Sequence, residues 1–142
     1  MITVAGILQS KPTEIFSVLP GTTVYEAIKL MGEKNIGALP VVENDRLCGI
    51  FSERDYARKI ILQNRKSRET AISEIMTATV ITVTPKDSID LCMEIMSSKK
   101  IRHLPVMEDT KLVGIISIGD VVTAVIQSQK ETISHLQNYI AQ

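Results

Sequence analysis

The chain has 142 residues, of which 44% are hydrophobic and 23% charged, the balance of a globular protein and not of a disordered one. Sixteen basic and sixteen acidic residues leave a net charge of zero, so the overall field favours neither nucleic acid nor an anionic membrane as a partner. The chain opens without a signal-peptide pattern and has no apolar run near the roughly 20 residues that span a bilayer, which predicts a cytoplasmic protein.

Two short apolar lead-ins, residues 1–9 and residues 71–77, predict one or two helical turns each. They align with each other only after a three-residue gap, which pairs Ile7 and Leu8 with Ile75 and Met76. Each lead-in precedes a β-rich segment that is closed by a proline. These segments predict short strands at 15–18 and 80–83.

A helical pattern follows each of these strands, with apolar residues at i, i+3, i+4 and i+7, which predicts an amphipathic helix. The apolar positions are Val24, Ala27, Ile28 and Met31 in the first pattern and Ile89, Cys92, Met93 and Met96 in the second. Thr22 or Thr23 can cap the first helix, and Asp87 or Ser88 the second. Methionine-rich stripes also occur on adaptable binding surfaces, but core packing is favoured here.

Strands at 38–42 and 103–107 come next, and a polar turn joins each of them to a second strand in a hairpin. Because proline donates no hydrogen bond to a ladder, the Leu-Pro-Val of each first strand predicts an edge position or a proline at the first residue. Both hairpins end at a Ser-x-x-Asp motif, in the runs LCGIFSERD (47–55) and LVGIISIGD (112–120). Each motif opens a second amphipathic helix.

These elements form a tandem repeat. Residues 18–61 and 83–126 align without a gap and share 15 identities in 44 positions, which indicates a duplicated strand–helix–strand–strand–helix unit. The predicted organisation is repeat 1 with its lead-in over 1–65, repeat 2 over 66–127 and a helical tail over 128–142. Neither repeat alone buries a large core, so the two are expected to face one another. The two cysteines occupy positions that are apolar in the opposite repeat, which favours packed thiols over a disulfide or metal pair.

Two surface features suggest partners. One is a basic cluster near the polar segment that joins the two repeats. The favoured interpretation is a solvated surface, and the alternative is that the residues of the cluster nearest the helix start bind an anion. The cluster consists of Arg54, Arg58, Lys59, Arg65, Lys66 and Arg68. In the tail, Ile133, Leu136 and Ile140 continue the helical spacing beyond a complete core, which predicts contact with another subunit and hence a homodimer.

The Ser-x-x-Asp motifs, Ser52 to Asp55 and Ser117 to Asp120, carry the candidate chemistry. One interpretation is a capping box, in which the serine accepts from a backbone N–H and the carboxylate reaches back to the cap; a single motif favours it. The other is a ligand site, since free N–H groups at a helix start suit a phosphate and a carboxylate can accept both hydroxyls of a ribose. The glycine before each motif would let a ligand approach the backbone closely.

With LPV before the hairpin turn and GI-x-S-x-x-D after it in both units, the chain closely resembles a tandem pair of CBS (cystathionine-β-synthase) domains, or Bateman module, over nearly its whole length. The run SERDYARKII is similar to a group of small free-standing bacterial CBS-pair proteins. The resemblance implies an α+β fold of two β-α-β-β-α repeats with pseudo-twofold symmetry, here with an extended C-terminal helix. It also implies two clefts between the repeats that bind AMP, ADP, ATP, NAD or S-adenosylmethionine in different members.

The resemblance also implies site residues. Asp55 and Asp120 would hold ribose hydroxyls, with Ser52 and Ser117 beside ribose or phosphate. The residues that precede each LPV would flank the clefts; they are Gly37 and Ala38 in the first copy and Arg102 and His103 in the second. Because only the second copy is basic there, the two clefts are expected to differ. Phosphate contacts are expected to combine Arg54 with one of these basic residues.

Three classes of function stay open. The leading one is a non-catalytic sensor of an adenosine-containing ligand that acts on an effector protein not identified by the sequence. An enzyme is disfavoured, because the sequence shows no Walker loop, no G-x-G-x-x-G, no metal-ligand cluster and no catalytic partner for His103. The third is a structural dimer or adaptor without a physiological ligand, and the presence of both Ser-x-x-Asp motifs argues against it.

Overall fold

The computed structural model describes residues 2–141, so residues 1 and 142 of the predicted lead-in and tail lie outside the described residues. The helices and strands are α1 (Val4–Gln9), α2 (Val24–Lys34), β1 (Ala38–Glu43), β2 (Arg46–Ser52), α3 (Glu53–Asp55), α4 (Ile89–Lys99), β3 (His103–Glu108), β4 (Lys111–Ser117) and α5 (Ile118–Ala141). A π-helical turn continues α3, and two 3-10 turns follow; they are Tyr56–Ile61, Ser67–Glu69 and Ile72–Glu74. The predicted α+β class is confirmed.

The chain divides into two compact units that do not coincide with the sequence repeats. The first-repeat unit consists of Glu14–Ile81 with Glu108–Val113, and the second-repeat unit consists of Met1–Thr13, Thr82–Met107 and Gly114–Gln142. Each unit therefore contains the lead-in that precedes the other repeat in sequence. The repeat boundaries expected at residues 65 and 127 stay a prediction.

In the first-repeat unit, β1 and β2 form an antiparallel hairpin that is closed by Asn44 and Asp45. Both turn residues have positive φ, as a two-residue hairpin turn requires. Helix α2 begins after Thr23, whose hydroxyl accepts from the Glu26 N–H and so confirms one of the two predicted caps. The core contains most of the predicted helical stripe; its members are Val18, Val24, Ala27, Met31, Leu39, Val41, Phe51, Ile60, Ile72 and Ile75.

The strands predicted at 15–18 and 80–83 are each reduced to a single parallel bridge. The Val18 N–H donates to the Pro40 carbonyl at 3.1 Å, and the Val18 carbonyl accepts from the Val42 N–H at 2.9 Å. Val83 makes the same two bonds in the other copy, at 3.1 and 2.8 Å. Because Pro40 has no N–H, the next ladder bond toward the start of β1 cannot form, and pairing stops after one residue. The proline stands third in β1, on an edge as predicted but not at the first position.

The lead-ins make equivalent contacts, each within one unit. In the second-repeat unit, the backbone N–H groups of Val4 and Ala5 donate to the carbonyls of Asp87 and Pro85, both at 2.9 Å. The corresponding bonds of the first-repeat unit join Ile72 to Thr22 at 2.8 Å and Ser73 to Pro20 at 2.9 Å. These pairs correspond only when the lead-ins are aligned with the three-residue gap, so the structure confirms that alignment.

The helices that follow the two hairpins differ in length. Helix α3 and its π-helical turn end at Ile61, whereas α5 runs unbroken for 24 residues and confirms the extended C-terminal helix. Within the described residues, no helix has both the length and the apolar character needed to cross a membrane, α5 included. Cys48 and Cys92 are both free thiols, the second of them buried, as expected from their apolar positions.

Candidate functional site

Both Ser-x-x-Asp motifs form capping boxes. At α3, the Ser52 hydroxyl accepts from the Asp55 N–H at 3.3 Å, and the Asp55 carboxylate accepts from the Ser52 N–H at 2.9 Å. At α5, the corresponding bonds between Ser117 and Asp120 are 3.1 and 2.8 Å. In each box, one carboxylate oxygen is therefore bonded to the backbone at the start of its own helix. What surrounds the other oxygen decides whether a ligand hydroxyl can bind there.

Asp55 is nearly enclosed, with its side chain 12% exposed, and both of its oxygens have partners. Oδ2 accepts from the N–H and the hydroxyl of Ser52, at 2.9 and 3.1 Å. Oδ1 forms an ion pair with Lys59 Nζ at 3.1 Å and accepts from the Thr77 hydroxyl at 3.5 Å. Lys59 also donates to the Ile75 carbonyl at 2.9 Å, which fixes the ammonium in place. The carboxylate of the first copy is thus satisfied by its own unit.

Asp120 is more open, with its side chain 23% exposed. Oδ2 accepts both from the Ser117 N–H and from Lys11 Nζ, at 2.8 and 2.7 Å. Lys11 also donates to the Ile115 carbonyl at 2.8 Å, so it joins the lead-in to β4 and to α5. Within the described part of the chain, Oδ1 of Asp120 receives no hydrogen bond. The second copy therefore keeps one carboxylate oxygen available.

The surroundings of Asp120 favour its charged form. Burial by itself would raise the pKa of this carboxyl, but the hydrogen bonds from Lys11 and from the Ser117 backbone outweigh burial, and the pKa lies below the usual aspartate value. A charged carboxylate only accepts hydrogen bonds. That is the role that the two neighbouring hydroxyls of a ribose, both donors, demand of a binding group.

One backbone bond in each copy holds the residues that precede Leu-Pro-Val beside the helix start. The Glu53 N–H donates to the Gly37 carbonyl at 3.1 Å, and the Ile118 N–H donates to the Arg102 carbonyl at 2.8 Å. The first residue of β1 therefore lies next to the first turn of α3, and the first residue of β3 next to the first turn of α5. Each copy brings its own predicted residues together in this way.

The predicted site residues beside the motifs differ in burial. Ala38 is buried at the start of β1, and Arg54 is half-buried in α3. In the second copy, Arg102 is exposed and His103 is half-buried. Of the two basic residues that distinguish the second copy, Arg102 is thus the exposed one, and its backbone is bonded to the first residue of α5. Contact of any of these residues with a ligand stays a prediction.

Sequence reasoning missed Lys11 and misread the two glycines. A Cβ on Gly114 would lie 2.6 Å from a methyl carbon of Leu8, and one on Gly49 would lie 2.6 Å from the Met76 sulfur. The space that each glycine leaves is therefore filled by a lead-in side chain, where a close ligand approach was expected. The gapped alignment already paired these two lead-in residues. That alignment places the backbone of the lead-in beside β4, but it did not show that the side chain of Lys11, three positions beyond Leu8, reaches the start of α5.

Comparison with known proteins assigns the repeats to a family. The model of the CBS domain matches the chain twice, over residues 7–62 and 72–127. The mitochondrial CBS domain-containing protein CBSX3 of Arabidopsis thaliana is 46% identical over 123 residues, which cover 83% of this chain and 60% of that protein. The chain thus spans less than two thirds of the length of this relative.

Solved structures of CBS-domain proteins are similar in fold to this chain over most of its length. A CBS-domain protein from Burkholderia ambifaria is 53% identical with a TM-score of 0.86, covering 89% of this chain and 96% of that one. The CBS domain pair of protein MJ0100, in complex with 5′-methylthioadenosine and S-adenosyl-L-methionine, is 31% identical with a TM-score of 0.78, covering 91% and 98%. The chain belongs to the CBS-domain family as a tandem pair of these domains, and a CBS pair is a regulatory module.

Proposed function

We propose that this CBS pair is a non-catalytic sensor of an adenosine-containing ligand, namely AMP, ADP, ATP or NAD. The similar CBS pair bound to 5′-methylthioadenosine and S-adenosylmethionine supports the class of ligand, because both compounds carry the ribose of adenosine. The protein acts in the cytoplasm as a homodimer and passes the signal to an effector protein. A ligand shifts that signal only if it binds one conformational state more tightly than the other.

The observation that carries the proposal is the open Oδ1 of Asp120. Its other oxygen is held by Lys11 and by the Ser117 N–H, so the orientation of the carboxylate is set before a ligand arrives. A ribose hydroxyl can then donate to Oδ1 without breaking the capping box. A binding group that is oriented in advance loses less conformational freedom on binding, which strengthens the interaction.

The phosphate of a nucleotide is assigned to the basic side of the same copy. Arg102 is exposed one residue before β3, and its backbone is bonded to the first residue of α5. Helix α5 presents its N-terminal end there, and helix N-termini favour anions. His103 follows Arg102 at the start of β3 and is proposed to contact the same phosphate.

A second candidate is a structural dimer or adaptor with no physiological ligand. The first copy favours it, because Asp55 is satisfied on both oxygens by residues of its own unit. A chain in which both motifs served only as caps would need no ligand for stability. The two candidates differ in one measurable property, which is the affinity for the ribose diol.

The discriminating experiment uses a compound that differs from adenosine only in lacking the ribose diol. Thermal shift and calorimetric titration compare AMP, ADP, ATP, NAD and adenosine with 2′,3′-dideoxyadenosine, which lacks both ribose hydroxyls. The sensor predicts that at least one adenosine ligand stabilises the protein and that loss of the diol abolishes the shift. Native mass spectrometry of the freshly purified protein checks for a retained nucleotide. Absence of binding across this panel would favour the adaptor.

A further inference from the structure

The C-terminal part of α5 is a helical stretch that the rest of the described chain leaves exposed. The family model ends at residue 127, whereas α5 continues to Ala141. From residue 129 to residue 141 every side chain is exposed. An isolated helix shorter than about 12–15 residues is marginal in water, so pairing with another helix would stabilise this exposed stretch. Charge pairs do not explain its stability, since Lys130 and Glu131 are the only Lys, Arg, Asp or Glu residues of this stretch.

The apolar residues of α5 follow a heptad repeat. Positions a and d alternate at spacings of four and three along the helix; a is Ile126, Ile133 and Ile140, and d is Val122, Gln129 and Leu136. The five apolar members are between 47% and 81% exposed. Isoleucine at all three of these a positions, with leucine at d in the last heptad, is close to the pattern that favours two parallel strands; Gln129 is the one polar core residue. The outward f positions are the small or polar residues Ala124, Glu131 and Asn138.

We propose that α5 pairs with the α5 helix of a second copy of this chain as a parallel, in-register, two-stranded coiled coil over residues 122–140. This deepens the proposed homodimer and is independent of any ligand. The five apolar side chains of two copies together expose on the order of 1,000 Å², the size at which specific interfaces begin. A second copy of the chain supplies the same face, so the interface is closed by a twofold axis.

Gln129 sets the orientation of the pair. In a parallel, in-register pair the Gln129 amides of the two copies meet, and each can donate to and accept from the other. In the antiparallel pair centred on the same segment, Gln129 would face Ile133 of the other copy. That arrangement buries an amide against an apolar side chain without a hydrogen-bond partner. A single polar core residue therefore selects the parallel register.

The face also continues onto the body of the second-repeat unit. Val122 and Ile126 are core positions of the heptad and line an apolar groove between α4 and α5, with a cavity volume of about 390 Å³. Met93 and Met96 of α4 form its other wall. The first residues of the pairing face thus lie on the packed part of the second-repeat unit, beside α4.

Cysteine cross-linking under mild oxidation tests the proposal in the full chain with Cys48→Ser. Leu136→Cys, at position d, is expected to form a disulfide-linked dimer, whereas Glu131→Cys, at the outward position f, is not. A mixture of Gln129→Cys and Ile133→Cys chains that cross-links only with each other would show an antiparallel pair and overturn the proposal.

Light scattering and sedimentation give the second measurement. Ile133→Glu is expected to weaken dimerisation at least about a hundredfold, because each dimer loses two buried isoleucines, while Ser134→Glu at the outward position b leaves it unchanged. A parent protein that is monomeric at micromolar concentration overturns the proposal and leaves the face to another protein. A dimer that is insensitive to Ile133→Glu overturns the coiled coil and leaves the ligand-sensing function standing.

Discussion

The starts of α3 and α5 carry the same motif and the same capping box, yet the two carboxylates are in different situations. Asp55 has partners on both oxygens and is the more enclosed, whereas Oδ1 of Asp120 receives no hydrogen bond from residues 2–141. Duplication preserved the backbone geometry of the helix start. The residues that were not preserved decide whether the carboxylate is available, so a repeated motif does not establish a repeated function.

The difference follows from where the lysine comes from. In the first copy it is Lys59, one helical turn after Asp55 on the same helix, and the second copy has Ala124 at that position. In the second copy it is Lys11, from the lead-in, and the first copy has Thr79 at the equivalent gapped position. In each copy the carboxylate therefore pairs with a lysine from a different part of the chain. Only in the second copy does one carboxylate oxygen receive no hydrogen bond from the described residues.

The largest expected effect is on ligand affinity. If Asp120 binds the ribose as proposed, Asp120→Asn removes charge-assisted hydrogen bonds worth about 1.5–3 kcal/mol and is expected to weaken the binding of an adenosine ligand by roughly ten- to more than a hundredfold. Asp55→Asn is the matched change in the closed copy, and a measurably smaller loss is expected there. Calorimetric titration of both variants with the ligand that binds the parent protein measures the difference.

Unfolding curves of the same two variants provide the control. An asparagine keeps one acceptor oxygen for the cap, so both proteins should remain folded at the titration temperature. Equal losses of affinity in both variants would show that the openness of Asp120 does not matter. Parent-like affinity in both variants would show that the two motifs serve only as helix caps.

The second prediction concerns the glycines beneath the two motifs. A Cβ at Gly49 would lie 2.6 Å from the Met76 sulfur and 2.9 Å from the Thr77 carbonyl, whereas at Gly114 its neighbours are the atoms of the Leu8 side chain. A side chain can change rotamer, but a backbone carbonyl in a hydrogen-bonded segment cannot move as cheaply. Gly49→Ala is therefore expected to cost about 1–3 kcal/mol and Gly114→Ala less. Urea unfolding measures both; an equal or reversed order would contradict the structure.

The third prediction is a property that the two copies should share. Ser52→Ala and Ser117→Ala each remove the hydroxyl that accepts from the N–H three residues on. Because the capping boxes are equivalent, each change is expected to cost about 1 kcal/mol of stability. The difference between the copies should thus appear in ligand binding and not in capping. Unfolding free energies that differ strongly between these two variants would show that the boxes are not equivalent.

The fold was largely readable from the sequence because the repeat doubled every signal. Two copies of the helical stripe, the hairpin turn and the Ser-x-x-Asp motif predicted α2 with α4, both hairpins and the starts of α3 and α5. The first strands were overestimated, since the effect of Pro40 on a ladder depends on which neighbour its missing N–H would have faced. The amino-acid composition of the segment does not show which neighbour that N–H would have faced.

The candidate site was predicted less completely than the fold. Ser117 and Asp120 were found because a motif places them three residues apart in sequence. Lys11 lies 109 residues from Asp120, and no local pattern links the two. Only the gapped alignment of the lead-ins pointed toward that contact, and it gives the position of the backbone without the reach of a side chain. The sequence therefore does not predict which distant residue pairs with a charged group.

The smallest expected effect tests the ion pair that orients Asp120. The pKa of Asp120 is lowered in the folded protein, so its contribution to stability is present above the unfolded value of about 3.9 and is lost as the pH falls through the folded pKa. Lys11→Met removes the ammonium that helps to lower it. Because both side chains are partly exposed, the variant is expected to lose about 0.2–1 kcal/mol at pH 7, and this difference should shrink below about pH 4. Urea unfolding between pH 3 and pH 7 measures it, with the exposed Lys86→Met as the charge-matched control. A loss that is the same at every pH, or equal to that of the control, would show that Lys11 does not act through the charge of Asp120.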